Sequence, residues 1–268
     1  MTVTLLTDYG LEDEFVGVCH AVIRGICPAA EIVDLTHGLP RHSVRQGAVV
    51  LRNALPYLPA GVVMAVVDPE VGTERRAVAL RCAGGQLLVG PDNGLLSLVS
   101  DAAGGVLEAV DVSRSRHRLE PVSATFHGRD VFAPVAASLA AGEPLAQAGE
   151  PLDPDELALL ELPPARWDGG ALVAHALAID GFGNVSLTVG HGDLAGSELT
   201  LGAELEVETA GGERRPARFA GTFADVAPGG LLVYEDSYRW VALALNRGDA
   251  ARELGVGIDD EVRLSPRT

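Results

Sequence analysis

Lysine is absent from this chain: all 20 of its Lys and Arg positions are arginine. Schiff-base chemistry and a phosphate-cradling P-loop lysine are therefore excluded, and any cationic catalytic group has to be Arg or His. Cysteine is scarce. Cys19, Cys27 and Cys82 are odd in number, sit among apolar residues and lack paired ligand spacing, which argues against a disulfide framework and against a zinc site and reads them as small buried hydrophobes. Long apolar runs are missing too, and the opening MTVTLLTDYG lacks the charged, apolar and small-residue zones of a signal peptide; a cytoplasmic protein without a membrane partner is expected. Positive charge is in deficit. A formal charge of -17 repels a phosphate backbone, and no basic cluster reverses it locally, so nucleic acid is a poor partner. The same field favours a cationic ligand, although acidity alone commonly signals nothing beyond solubility. A Gly-rich dinucleotide fingerprint after the first strand is also missing.

What the chain does have is apolar content, 47% over 268 residues with 32 Gly, enough for one full core or two compact units. TVTLLTD reads as a short strand ending in a polar turn, and EFVGVCHAVIRGICP spaces its apolar residues as a helix does until Pro28. The strand, loop, helix pattern repeats through EIVDLTHGL, SVRQGAVVLRNALPYL and the nearly continuous apolar run GVVMAVVD, which suits a strand buried on both faces. Further strands are predicted at AVALRC and QLLVGP and a helix at VFAPVAASLAAG. The Pro-laden stretch from Gly142 to Gly170 reads as a connection rather than sheet. Beyond it, ALVAHALAID, ELTLGAELEVET, RRPARFAG, LLVYED and WVALALN are strand-like and helical signals nearly vanish. The expected fold is α/β: a mainly parallel N-terminal sheet flanked by helices over residues 1–165, then a smaller antiparallel β domain over 166–268.

Ligands of open α/β sheets gather at the carboxyl ends of strands, which draws attention first to Asp8, Asp34 and Asp68. Asp8 and Asp13 could bind ribose hydroxyls or an ammonium; equally, Asp13 or Glu12 caps the following helix and Asp8 bonds its own turn. Asp68 opens DPEVGTERR, a tight turn in which Arg75 or Arg76 can fold back to orient the carboxylate, or in which an ordinary structural ion pair forms. His127 lies in a polar island, ATFHGRDVFAP, where Gly128 permits close approach; a proton carrier and a satisfied structural histidine are both consistent with that setting. The His and Asp residues do not fall into recognised metal spacing, and no metal or cofactor is expected. In AIDGFGNVSL a hairpin turn is the first reading, and beside it Asp180, Phe182 and Asn184 could hold an ammonium, stack on a purine and read its edge. TFAD around Phe223 and EDSYRWVALALNRG around Ser237 and Asn246 add an aromatic and small polar groups.

Taken in order, TDYG (7–10), ICP (26–28), VVDPEVGTERR (66–76), GPDNGLL (90–96), TFHGRDVFAPVAA (125–137) and IDGFGN (179–184) resemble the S-adenosyl-methionine hydrolase family, whose relatives include adenosyl chlorinases and fluorinases. The similarity runs nearly end to end. It implies hydrolysis of S-adenosyl-L-methionine to adenosine and methionine by attack of water at the ribose 5′ carbon, and a homotrimer with sites between the N-terminal domain of one subunit and the C-terminal domain of the next. It also implies a catalytic set of Asp68, Arg75 and His127 and a ribose-gripping Asp8. Asp13, Asp180 and Ser237 would surround the methionine, Phe182 and Phe223 would wall the adenine, and Asn184 would read it beside a backbone contact at Asn246 and Arg247, with Phe126 and Tyr238 completing the substrate-binding set. The chain departs from the family pattern at three places: Glu70 replaces a usual glycine, Tyr238 stands where halide-using relatives carry arginine, and the surroundings of Asp236 differ. Two rival functions remain in view, a halide-dependent adenosyltransferase and a non-catalytic adenosine or S-adenosyl-methionine binding module. Asp68 argues against the first, because a carboxylate at the nucleophile position repels halide, and so does the short AGG turn between Cys82 and Gln86.

Overall fold

A computed structural model describes residues 1–267. The chain forms two compact units, one over Met1–Leu160 and a second from Glu161 onward. The first contains β1 (Thr2–Thr7), α1 (Phe15–Ile26), β2 (Glu31–Thr36), α2 (Val44–Ala54), β3 (Gly61–Val66), β4 (Ala77–Cys82), β5 (Leu87–Pro91), α3 (Ser97–Ala102), β6 (Val106–Asp111), α4 (Ala133–Ala140) and β7 (Glu150–Leu152). Its sheet runs β2-β1-β3-β5-β4-β6-β7, parallel from β2 through β5 and antiparallel from there to β7.

The apolar continuity of β3 has the cause expected from sequence, and β1 beside it, although half threonine, is likewise covered on both faces. Val3, Leu5, Met64 and Val66 pack with Cys19 and Ile23 of α1 and Val135 and Leu139 of α4. Leu6, Val63 and Ala65 point the other way, against Leu51 of α2 and Val99 of α3. All three cysteines are buried and unpaired, and burial pushes the Cys19 thiol up to about 12 and the Cys82 thiol up to about 11.

The second unit comprises β8 (Arg166–Asp168), β9 (Ala171–Ile179), β10 (Val185–Gly190), β11 (Glu204–Thr209), β12 (Arg214–Phe219), β13 (Leu231–Glu235), β14 (Trp240–Leu245), α5 (Ala250–Leu254) and β15 (Glu261–Pro266). Strand order is β10-β14-β13-β12-β11-β15-β9-β8, and an added β10–β9 pairing closes the sheet into a barrel. Alternate residues such as Val185, Leu187 and Val189, or Val241, Leu243 and Leu245, fill its interior. The barrel is antiparallel except for β12 and β13, which pair in parallel. The stretch from 142 to 170 is not purely a connection, since β7 completes the first sheet and β8 the second. Pro151 confined the first to a three-residue edge strand that periodicity could not reveal. Among the described residues no helix is long and apolar enough to cross a membrane.

Candidate active site

Strand β3 delivers Asp68 to its carboxyl end, and two motifs hold it there. Asn93 of GPDNGLL donates through Nδ2 to the carbonyl of Val67 at 2.9 Å, pinning the strand end. The loop beyond Asp68 is tightened by Thr73, whose backbone N–H and hydroxyl both reach the Glu70 carbonyl, at 3.1 and 2.8 Å. Gly72 has φ +80°, and a Cβ there would stand 2.2 Å from the backbone oxygen of Ala124, so only glycine lets this loop press against the segment that leads to His127. Glu70, which replaces the family's glycine, adopts no left-handed backbone and points outward, while its own N–H bonds the Asp68 carboxylate.

Of the two arginines that could serve Asp68, geometry selects Arg75. Its Nε donates to Asp68 Oδ1 at 3.1 Å and its Nη2 to Oδ2, a bidentate pair whose side chains are only 3% and 5% exposed. Arg76 is committed elsewhere, to Asp92 at 2.8 Å and to Glu156 at 3.1 Å. Nη2 of Arg75 also lies 3.2 Å from Nδ1 of His127, so carboxylate, guanidinium and imidazole from separate loops meet in one cluster. The ring of Phe132 lies 5.4 Å from the Arg75 guanidinium carbon and supports it from beneath.

His127 opens the polar island and stands just before a wide helical turn, Gly128–Phe132. Asp130, buried in that turn, accepts from the Ser123 N–H at 2.8 Å and from Arg129, which fixes the approach of the chain to His127. A Cβ on Gly128 would meet the Tyr9 hydroxyl at 2.1 Å. Tyr9, inside the TDYG motif but passed over by sequence reasoning, therefore stands against the backbone next to His127. Burial, together with the charges of Asp8 and Asp68, holds its phenol well above the usual value, so it stays neutral beside both carboxylates.

The electrostatics of the cluster follow from its burial. Burial raises the Asp68 carboxyl above its ordinary value, and Arg75 and His127 only partly oppose this. Burial and the neighbouring Arg75 cation push the His127 imidazole down. A guanidinium has no acceptor, so Nδ1 of His127 faces Arg75 with its lone pair, and in the neutral ring Nε2 carries the proton. A cavity of about 520 Å³, bordered by Arg75, His127, Arg114 and Arg118, adjoins the cluster. Asp8 lies at the end of β1 with Oδ2 accepting from the His42 N–H at 2.8 Å. Phe126 packs edge-on against Phe15 and Tyr9, whereas Asp13 stays exposed ahead of α1.

In the barrel unit the anticipated residues occupy three turns and one helical loop. Asp180 builds the β9–β10 hairpin: Oδ1 accepts from the N–H groups of Phe182 and Asn184, both at 2.9 Å, and Oδ2 from the Asn184 amide at 2.7 Å. This turn presents Phe182 to solvent at 82% exposure. Asp236 does the same for the β13–β14 hairpin, accepting from Tyr238 and Trp240 N–H and from the Ser186 hydroxyl, so Ser237 and Tyr238 are displayed at the surface. Asn246 anchors its turn through Nδ2 to the Val226 carbonyl at 2.7 Å and leaves Arg247 exposed with φ 61°. Phe223 tilts against Tyr234, 5.3 Å between ring centroids. Tyr234, also unforeseen, is pushed up to about 12 by burial and by Asp180 and Asp236, which places these turns around one phenol.

Sequence spacing predicted no metal site, yet the fold converges His20, Asp34 and His37, with one ligating atom of each within 4.8 Å of the others. They come from α1, β2 and the loop after β2, so no local spacing could disclose them.

A parallel-core α/β unit followed by a closed barrel, with an acid, a guanidinium and an imidazole joined at the end of β3, defines the class. The chain belongs to the SAM hydroxide adenosyltransferase family: the model of its N-terminal domain matches residues 3–149 and that of its C-terminal domain residues 174–263. It is 49% identical over 264 residues to an (R)-S-adenosyl-L-methionine hydrolase of Salinispora tropica, covering 98% of this chain and 97% of that one. A Thermus thermophilus protein of the same name is 40% identical over 98% of both chains, and a fluorinase of an Actinoplanes species is 29% identical over 93% of this chain and 92% of its own. Among solved structures, an uncharacterized conserved protein from Thermotoga maritima superposes with a TM-score of 0.90 at 36% identity, covering 99% of this chain and 100% of that one.

Proposed function

We infer that this enzyme hydrolyses S-adenosyl-L-methionine to adenosine and L-methionine, and that Asp68, Arg75 and His127 deliver the water. The observation that carries the reading is the joined Asp68–Arg75–His127 cluster, in a chain whose relatives at 49% and 40% identity are named hydrolases. Methionine departs from a sulfonium as a neutral thioether and needs no acid, so the task is to align and partly desolvate a weak nucleophile. Water attacks C5′ opposite the sulfur. The C5′–O bond forms as the C5′–S bond breaks, its electron pair neutralises the sulfonium, and the water proton leaves to a base. Asp68 is the base in this mechanism: its carboxyl is raised by burial, whereas the only lone pair of neutral His127 is engaged by Arg75. The Nε2–H of His127 then orients the water as a donor, and Arg75 holds both partners.

Asp8 would grip the ribose hydroxyls. Asp13, Asp180, Ser237 and Tyr238 would meet the methionine portion, with Phe126, Phe182 and Phe223 around the adenine and Asn184, Asn246 and Arg247 reading its edge. The exposure of Phe182, a large aromatic on a rigid turn, supports a site completed by another subunit, in a homotrimer acting in the cytoplasm. The carboxylates near the ligand cation favour binding rather than rate, because that positive charge disappears during attack. A halide-using reaction is disfavoured by the Asp68 carboxylate and by the AGG segment, which forms only the tight β4–β5 turn with the Cys82 N–H on the Gln86 carbonyl at 3.0 Å.

Incubation with substrate in heavy-oxygen water should give adenosine labelled at the 5′ hydroxyl, together with methionine. A halogenated nucleoside formed in chloride or fluoride buffer would establish transfer instead, and bound but unchanged substrate would establish a binding module. The turnover number should also fall on the acid side. Asp68 titrates above its ordinary 3.8 and His127 below its ordinary 6.5, and protonating either one removes the base or sets two cations against each other. The limb follows whichever group titrates higher, and Asp68 lies above its ordinary 3.8, so a pH profile of turnover should show its acid limb above that value; full turnover persisting below pH 3.8 contradicts the assignment.

A further inference from the structure

We propose that His20, Asp34 and His37 form a binding site for a divalent transition-metal cation of the zinc type, at the end of β2 beside the loop that carries Asp8. The donors are the Nε2 atoms of His20 and His37, which approach the same oxygen, Asp34 Oδ1, at 2.8 and 3.0 Å. Two imidazoles and one carboxylate, without a thiolate, suit zinc, cobalt or nickel; calcium and magnesium prefer all-oxygen shells.

The independent sign of a missing ligand is His37. It is 4% exposed, and its Nδ1 bonds the Thr7 hydroxyl at 2.8 Å. Its Nε2 is buried without a hydrogen-bond partner: Asp34 Oδ1 stands at ion-pair distance but off the ring N–H direction. Thr7 Oγ1 already accepts from the Tyr9 N–H at 3.2 Å. When Nδ1 of His37 donates to that hydroxyl as well, Nε2 is left as a bare lone pair facing a carboxylate oxygen, an arrangement that calls for a cation between them. A zinc ion with bonds of about 2.0–2.2 Å sets its ligands about 3.3 Å apart, so Asp34 Oδ1 has only a few tenths of an ångström to retreat. Asp34 is exposed and His20 half-buried, which leaves room for that retreat, an entry route and water in the remaining coordination positions. The chain's charge of -17 draws cations toward it.

Occupancy would be felt at the substrate loop. His37 accepts from the Gly10 N–H through its carbonyl at 2.8 Å and holds Thr7 through its ring, so a bound ion stiffens both ends of the segment containing Asp8 and Tyr9.

The test is titration of the chelator-treated, full-length protein without an affinity tag with Co2+, read by its visible ligand-field absorption, followed by displacement with Zn2+. The expected result is one saturable site per chain, a rise in melting temperature with zinc, and a loss of affinity of at least about tenfold in His20→Ala and in Asp34→Asn. Both substituted side chains lie at least partly at the surface, and melting in the absence of metal verifies that the variants fold. Absence of saturable cobalt binding to the wild-type chain, or binding undiminished in both variants, overturns the proposal and leaves Asp34 as a carboxylate bridging two imidazole protons.

Discussion

Asp68→Asn should lower the turnover number by about 10²–10⁴, the usual contribution of a positioned general base, while the dissociation constant for S-adenosyl-L-methionine changes only a few-fold. The amide can still accept from Nε of Arg75 through its oxygen, but its NH2 faces Nη2 and cannot take a proton from water. Loss in turnover without loss in binding separates a group that acts in the transition state from one that merely holds substrate. Single-turnover rates and calorimetric binding of the same preparation provide the two numbers. A variant retaining more than about a tenth of wild-type turnover would remove Asp68 from the base position.

Arg75→Ala should damage both activity and stability. Asp68 is 5% exposed and Arg75 is its counterion; removing one partner of a buried pair typically costs about 3–5 kcal/mol because the remaining charge stays desolvated. That corresponds to a melting temperature lower by on the order of 10 °C. The deficit should depend on pH with a definite sign. Without Arg75 the Asp68 carboxyl, already raised by burial, climbs further above its unfolded value. The folded variant then binds a proton more readily than the unfolded chain, so its stability relative to wild type improves as pH falls through that elevated value and worsens as pH rises. Thermal melts across the acid range measure this directly. Arg75→Lys should recover some of the stability but little turnover, since one ammonium cannot bond both Asp68 oxygens and His127 Nδ1 in a single plane.

The features of this architecture that were legible in the chain are those where one physical requirement dominates several residues in a row. β3 must be buried on both faces, and its nearly continuous apolar run GVVMAVV said so; the barrel strands alternate because only one face is covered. What escaped were elements too short to carry a period. α5 is five residues long, although Asp249, whose carboxylate accepts from the Arg252 N–H at 2.9 Å, and Gly255 at φ 61° bracket it with capping residues. β7 and β8 exist because a neighbouring strand offers a partner, not because three residues prefer to be extended. At the site, strand-end position singled out Asp8 and Asp68, but the choice between Arg75 and Arg76 depended on Asp92 and Glu156, the latter 80 positions away in sequence. Tyr9, Tyr234 and the convergence of His20, Asp34 and His37 were illegible for the same reason: each is defined by contacts across elements.

The way each sheet ends bears on whether a chain so rich in apolar side chains can recruit foreign strands. Open strand margins template the addition of foreign strands and thereby seed fibrils. In the first sheet one margin is β2, which carries the exposed acid Glu31, and the other is β7, three residues long with a proline at its centre. The second sheet curls until β9 meets β10, leaving only the three-residue β8 outside the ring. Resistance to strand addition is thus written into the margins of the two sheets, and replacing Pro151 with a β-branched residue would open one of them to ordered aggregation.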